Sequence, residues 1–190
     1  MGRARATTSA ARRRLLESAD RLFYQHGVRA VGIDRVIAEV GVAKMTLYTH
    51  FPSKDDLILA VLQHREKTVL EFFRGAMERH GKRTPLRAFF AALKEWFESP
   101  GFRGCAFQNA AIVLADPKHP GAEFVRGYKQ RFFEILRAIV EQTVGRSAAK
   151  VAPAVSLLVE GAVVTAVIQG TPGAADVARD AALIVVAGKG

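Results

Sequence analysis

One cysteine, Cys105, in 190 residues excludes an intrachain disulfide and suits a reducing compartment. Acidic residues are scarce: 18 Asp and Glu stand against 28 Lys and Arg, a formal net charge of +10. Such a balance favours an anionic partner and says little about the fold. There is no HExxH, no glycine-rich phosphate loop and no cysteine cluster. No metal site, no cofactor and no enzymatic activity are therefore expected. Cys105 and His119 can be drawn as a nucleophile and its base, but nothing in their spacing brings them together. No run alternates apolar and polar residues for the length of a strand, and no repeat is evident. Residues Met1–Phe23 hold no uninterrupted apolar core ahead of a cleavage site, so no secretory signal is expected. The most apolar stretch, Val151–Ile168, is broken by Ser156, Glu160 and Thr165, so no membrane span and no membrane partner are expected.

What is present is a large apolar fraction, 49%, enough to bury a core. The positive charge is concentrated at one end. Residues 1–54 hold 10 Lys or Arg against 4 Asp or Glu, whereas residues 55–190 hold 18 against 14. The basic end also contains IDRVIAEVGVAKMTLYTHFPSK, Ile33–Lys54. There Ile33, Val36, Ile37 and Val40 recur at helical spacing, Gly41 stops that helix, and Val42 and Leu47 anchor a second short one. Helix, glycine turn, helix is the arrangement that lays a polar helix surface in a DNA major groove. The polar side chains of the second helix are Lys44, Thr46, Tyr48, Thr49 and His50, and Lys54 follows at the start of the next. These six are the candidate DNA-binding residues. Lys44 suits a phosphate or a guanine edge, and Lys54 suits a phosphate.

The remaining pattern is helical throughout. Met1–Ser9 reads as a basic arm, with arginines either reaching DNA or simply solvated. A first helix spans about Ala10–His26, with Gly27 as its stop; Leu16, Ala19 and Phe23 are expected against Ile33, Ile37 and Leu47. Ser53 is the expected cap of a long helix reaching about Arg79, with Asp55 and Asp56 in its first turn. Further helices are expected at Pro85–Glu98, Cys105–Leu114, Ala122–Thr143, Ala152–Gly170 and Ala174–Ala187, with a loop at Gly145–Ala149.

Leu22-Phe23, Gly27, Ile37-Ala38, Gly41-Val42, Thr46-Leu47-Tyr48, His50-Phe51 and Ser53-Lys54-Asp55 together resemble the N-terminal domain of the TetR family of transcriptional regulators. The resemblance covers roughly residues 10–62 closely. It implies an all-α homodimer of about nine helices that binds double-stranded DNA, mostly as a repressor. It places family DNA contacts on Lys44, Thr46, Tyr48, Thr49 and His50, with Lys54 on the backbone. Val31-Gly32, Ala43 and Met45 depart from residues common in the family.

The reading is thus an all-α chain with a helix-turn-helix domain in 1–54 and a helical effector-binding and dimerisation domain in 55–190. It acts in the bacterial cytoplasm, on the nucleoid when bound. Self-association is assigned to the last two helices, through Val155, Leu158, Val159, Ala162, Val163 and Val167 of one and Val177, Ala181 and Ile184 of the other. An intramolecular core of the same residues is the alternative. The abundance of aromatics in the body points to a small, largely apolar or aromatic effector. Phe73, Phe89, Trp96, Phe107, Phe124 and Phe132 are the apolar candidates; Gln108, Asn109 and Tyr128 are the polar ones. Cys105 is either a small buried hydrophobe or a thiol sensor. The competing function is an activator or architectural protein that uses no effector.

Overall fold

A computed structural model describes the backbone of residues 2–81 and 83–188, and side chains from residue 10 onward. Among the described residues there are nine α-helices and no strand: α1 Gly2–His26, α2 Ile33–Val40, α3 Lys44–His50, α4 Lys54–His80, α5 Pro85–Phe97, α6 Ala106–Leu114, α7 Pro120–Val144, α8 Ala148–Gln169 and α9 Ala174–Ala187. One 3₁₀ turn, Gly145–Ser147, joins α7 to α8.

Most boundaries fall within two residues of the sequence expectation, and the larger departures lie at the start of α1 and at the junction of α7 with α8. The helix expected from Ala10 begins at Gly2, so backbone expected as an arm continues α1. Met1 and the side chains of that arm lie outside the described residues. The expected Gly145–Ala149 loop is a single 3₁₀ turn, and α8 starts at Ala148 rather than Ala152. That start puts Pro153 inside α8. Proline there removes the bond to the Ala149 carbonyl, at a place where Ala149 and Pro153 are both exposed.

The chain forms two compact units: Met1–Lys67 with Ala106–Arg126, and Thr68–Cys105 with Gly127–Gly190. Helices α4 and α7 each begin in the first and end in the second.

In the first unit α1, α2 and α3 pack against one another. Gly41 ends α2 at φ +71°, and its N–H donates to the Ile37 carbonyl at 2.9 Å, a geometry that side chains with a Cβ rarely adopt. Buried here are Leu15, Ala19, Leu22 and Phe23 of α1, Val36 and Val40 of α2, then Leu47, Phe51 and Leu57. Ala19, Phe23 and Leu47 are buried as expected, whereas Leu16, Ile33 and Ile37 are only half-buried at the sides of the faces that Leu15 and Val36 centre. Ser53 caps α4 as expected: its Oγ accepts from the Asp56 N–H at 3.0 Å and donates to Asp56 Oδ2 at 2.6 Å.

In the second unit α8 packs along α9, and α5 packs on α9. Lys94 of α5 donates to Asp176 Oδ2 at 2.6 Å, and Lys129 of α7 donates to both Glu160 oxygens at 2.7 and 2.8 Å. The expectation that no stretch could cross a membrane is corrected on composition. One window within Pro120–Gln169 is long and apolar enough, and 39% of it is buried inside the chain. Much of what stays exposed in α8 is apolar: Leu157, Val164, Val167 and Ile168. Glu160 in the same helix pairs with Lys129.

Candidate nucleic-acid interface

Helix α3 has seven residues, and only Leu47 is anchored in the core, with no exposure at all. At about 100° per residue, that anchor decides what every other side chain does. Lys44, Met45, Tyr48 and Thr49 face solvent, while Thr46 and His50 lie half-buried at the flanks. Five of the six expected DNA-binding residues lie on α3 and the sixth, Lys54, opens α4, and they are unequally presented. Met45, absent from that set, stands furthest out at 74% exposure. Its signal was available in the sequence: it lies almost opposite Leu47 on the helix.

Several polar contacts fix the head that carries α3. Arg14 of α1 donates to the Val40 carbonyl at 2.6 Å, just before the Gly41 turn. Ser18, buried, donates to Glu39 Oε1 at 2.6 Å, and Arg21 bonds the same oxygen. The Ser18 hydroxyl, with Arg21 beside it, holds the Glu39 carboxyl below its ordinary range. The guanidinium of Arg12 lies 5.0 Å over the ring of buried Phe51, the residue that ends α3. Arg65 of α4 pairs with Asp20 of α1 and lies 3.9 Å over the Tyr24 ring. Burial pushes the Asp20 carboxyl up, against the pull of Arg65.

Lys44 is engaged before any DNA arrives. Its Nζ donates to Asp34 Oδ1 at 3.1 Å, which raises its pKa. Both partners are exposed, at 58% and 83% of their side chains, so the pair is easily exchanged for another anion. Lys54 at the first position of α4 is half-buried, and desolvation draws its ammonium down, with Asp55 opposing. Next to it, Asp55 accepts from His119 Nε2 at 3.2 Å, while His119 Nδ1 accepts the Gly121 N–H at 3.0 Å. The corner between α6 and α7 thereby holds the first turn of α4.

The other expected sites are placed as follows. Ring contacts join Phe73, Phe89, Trp96, Phe132 and Tyr128 in the second unit, with Phe73 stacked on Phe89 at 5.5 Å. Cys105 is buried in that unit. Phe107, Gln108, Asn109 and Phe124 belong to the first unit; Phe107 is buried and Asn109 exposed. Of the expected self-association residues, Val155, Val159, Ala162 and Val163 are taken up inside the chain, on the sides of α8 turned to its neighbours. Leu158 and Ala181 are half-buried, and Val167, Val177 and Ile184 are exposed.

Residues 15–61 match the profile of the family described as bacterial regulatory proteins, tetR family. SCO4454 of Streptomyces coelicolor, a TetR-family transcriptional regulator of solved structure, is 32% identical over 95% of this chain and 96% of its own, with a TM-score of 0.86. A TetR transcriptional regulator of Chloroflexus aurantiacus is 25% identical over 96% of each chain, with a TM-score of 0.76. Among curated relatives, the transcriptional activator FasR of Mycolicibacterium smegmatis is 35% identical over 107 residues, 54% of this chain and 48% of FasR. A Staphylococcus aureus regulator is 36% identical over 63 residues, 33% of this chain and 34% of its own. The chain spans about half the length of these curated relatives or less. An N-terminal helix-turn-helix held as described, with likeness to a solved relative along nearly the whole of both chains, makes this protein a member of the TetR family: a transcriptional regulator with a DNA-binding domain, and not an enzyme.

Proposed function

We propose that this regulator is a repressor that binds an inverted-repeat operator as a homodimer and is released by a small, largely apolar or aromatic effector. Residues 1–54 read the DNA, and residues 55–190 pair the copies and hold the effector. It works in the bacterial cytoplasm, on the nucleoid when bound. The observation that carries the reading is the outward face of α3, where Lys44, Tyr48 and Thr49 stand exposed around a single core anchor.

Pairing is supported by a second surface. Leu157, Gly161, Val164 and Ile168 of α8 recur at four, three and four residues, and all are exposed. Val177, Ala181 and Ile184 of α9 recur at four and three. Two neighbouring helices with apolar outer stripes and a glycine for close approach suit a four-helix interface with two-fold symmetry. Two heads then meet half-sites about 34–36 Å apart, or a multiple of it. The ring cluster around Phe73 supports an aromatic effector, since such rings offer large apolar contact. A compound that binds better to the form with wrongly spaced heads lowers DNA affinity by population shift.

The likeness to FasR, named an activator, favours a second reading in which bound protein raises transcription. Recovery of bound fragments from sheared genomic DNA, followed by transcript levels from the flanking genes with and without the protein, separates the two readings. A repressor raises those transcripts on its removal; an activator lowers them. On a recovered fragment, Lys44→Ala and Thr46→Ala each weaken binding about tenfold or more while the sedimentation of the free protein stays as in wild type. Unchanged affinity in both variants rejects the assigned reading face.

A further inference from the structure

We propose that Met45 reads the 5-methyl group of thymine, with the methyl of Thr49 beside it, so that the operator is selected at α3 by apolar contact as well as by hydrogen bonds. The inference rests on the proposed DNA-reading head and adds the base feature it recognises.

Leu47 fixes which way α3 faces, and Met45 stands nearly opposite it with 74% of its surface exposed. A single exposed methionine elsewhere on a protein carries no information. Here it occupies the middle of the outward face, between Lys44 and Tyr48 on one side and Thr49 on the other. Thr49, one helical turn on, supplies the second observation. Its Oγ1 donates to the Met45 carbonyl at 2.8 Å, so its one donor proton is committed to its own helix. What Thr49 has left for a partner is its γ-methyl and the acceptor side of that oxygen. The centre of the reading surface is therefore a thioether and a methyl, with the cation Lys44 at its edge.

The major groove offers one apolar feature, the 5-methyl of thymine; every other base edge there presents hydrogen-bond donors or acceptors. A thioether laid over guanine or cytosine strips water from those groups and gives nothing back. Laid over thymine it buries methyl against methyl. The unbranched side chain of methionine can adjust to a neighbouring step, which suits contact with a small protruding group.

The test uses the full chain and a duplex pool with a randomised core. Selection gives an enriched sequence, and duplexes of that sequence are then made with each thymine in turn replaced by deoxyuridine, which removes only the methyl group. The wild type loses about fourfold in affinity at one or two such positions per half-site, the worth of one buried methyl. Met45→Ala binds the thymine and deoxyuridine duplexes equally at those positions; Met45→Leu keeps the discrimination. Thr49→Ser, which keeps the hydroxyl and removes the methyl, reduces it at the adjacent thymine. Circular dichroism and thermal melting confirm that the variants fold. A pool that yields no enriched sequence overturns the DNA-reading head and this inference with it. An enriched sequence whose thymines all tolerate loss of the methyl in wild type, or a Met45→Ala that discriminates as wild type does, overturns this inference alone.

Discussion

Lys44 and Asp34 lie 3.1 Å apart across the turn of the DNA-reading unit, and the pair sets the residue-scale behaviour of the head. Asp34 is the acid in the first turn of α2. It holds the Lys44 ammonium, and on the proposed reading of α3 it also puts a carboxylate near the phosphate backbone. Replacing it with asparagine keeps the size of the side chain and removes both effects. Asp34→Asn should therefore bind random-sequence duplex more tightly at low salt and show a steeper fall with salt, because Lys44 is free to displace a counterion. Fluorescence anisotropy across a salt titration measures both, and a slope equal to wild type rejects the account. Folding stability scarcely moves, since the pair is exposed. The exposure of Lys44 on α3 was legible in the residue order. Its partner was not, since only the turn at Gly41 brings the start of α2 beside the start of α3.

At the scale of elements, two joints deserve separate tests. The corner from Leu114 to Gly121 is tight: a Cβ on Gly121 would meet Leu114 Cδ1 at 2.9 Å and His119 Nδ1 at 3.2 Å. His119 is also the residue that holds Asp55. Gly121→Ala should lower unfolding stability by about 1 kcal/mol or less in urea titration, because Leu114 Cδ1 ends a side chain that can shift and alanine favours the helix. A value within error of wild type means that the corner gives way freely. In the second unit, the Lys94 hydrogen bond holds the Asp176 carboxyl below its ordinary value, with help from Arg179. A depressed carboxylate contributes stability that is complete above the unfolded value, about 3.9, and is lost as pH falls through the lower folded value. The wild type should therefore lose this contribution as pH falls from the unfolded value through the folded one. Lys94→Met weakens the depression, leaving Arg179, so the melting temperature should be lower near pH 6 and should fall less on acidification than in the wild type. Identical melting-temperature profiles between pH 2.5 and 6 count against the joint. The helices themselves, α2 to α4 above all, could be read from Gly41, Ser53 and apolar spacing because caps and stops are local chemistry. The early start of α8 could not, because the expected first-turn place for Pro153 is a local preference that the 3₁₀ turn and the packing of Ala148, Val151 and Ala152 override.

For the whole molecule, the outcome turns on the uncovered stripes of α8 and α9. Leu157 and Ile168 are 74% and 77% exposed, and Val177 and Ile184 are 72% and 74% exposed. In the proposed homodimer a second copy would bury these side chains, and an arginine among them would place an unpaired charge in that interface. Ile184→Arg should sediment as a monomer at micromolar concentration. It should also lose operator affinity by far more than it loses affinity for random duplex, because only the operator engages two heads at once. A wild type that is monomeric at the same concentration removes the homodimer from the proposal.

The residue order alone determined the helix-turn-helix end of this protein. A left-handed glycine, a serine cap and the spacing of Leu47 from its polar neighbours act within a few residues, and such effects survive without knowledge of the rest of the chain. It did not determine which way α8 faces. That helix is apolar on nearly every side, so its periodicity points nowhere; only packing on α9 turned Val155, Val159, Ala162 and Val163 inward and left Leu157, Val164 and Ile168 outside. Nor did it place α6 with the N-terminal helices. That choice depends on burial of Phe107, Ala110 and Leu114, and on a histidine meeting an aspartate far away in the chain, interactions that exist only once the chain has folded back on itself.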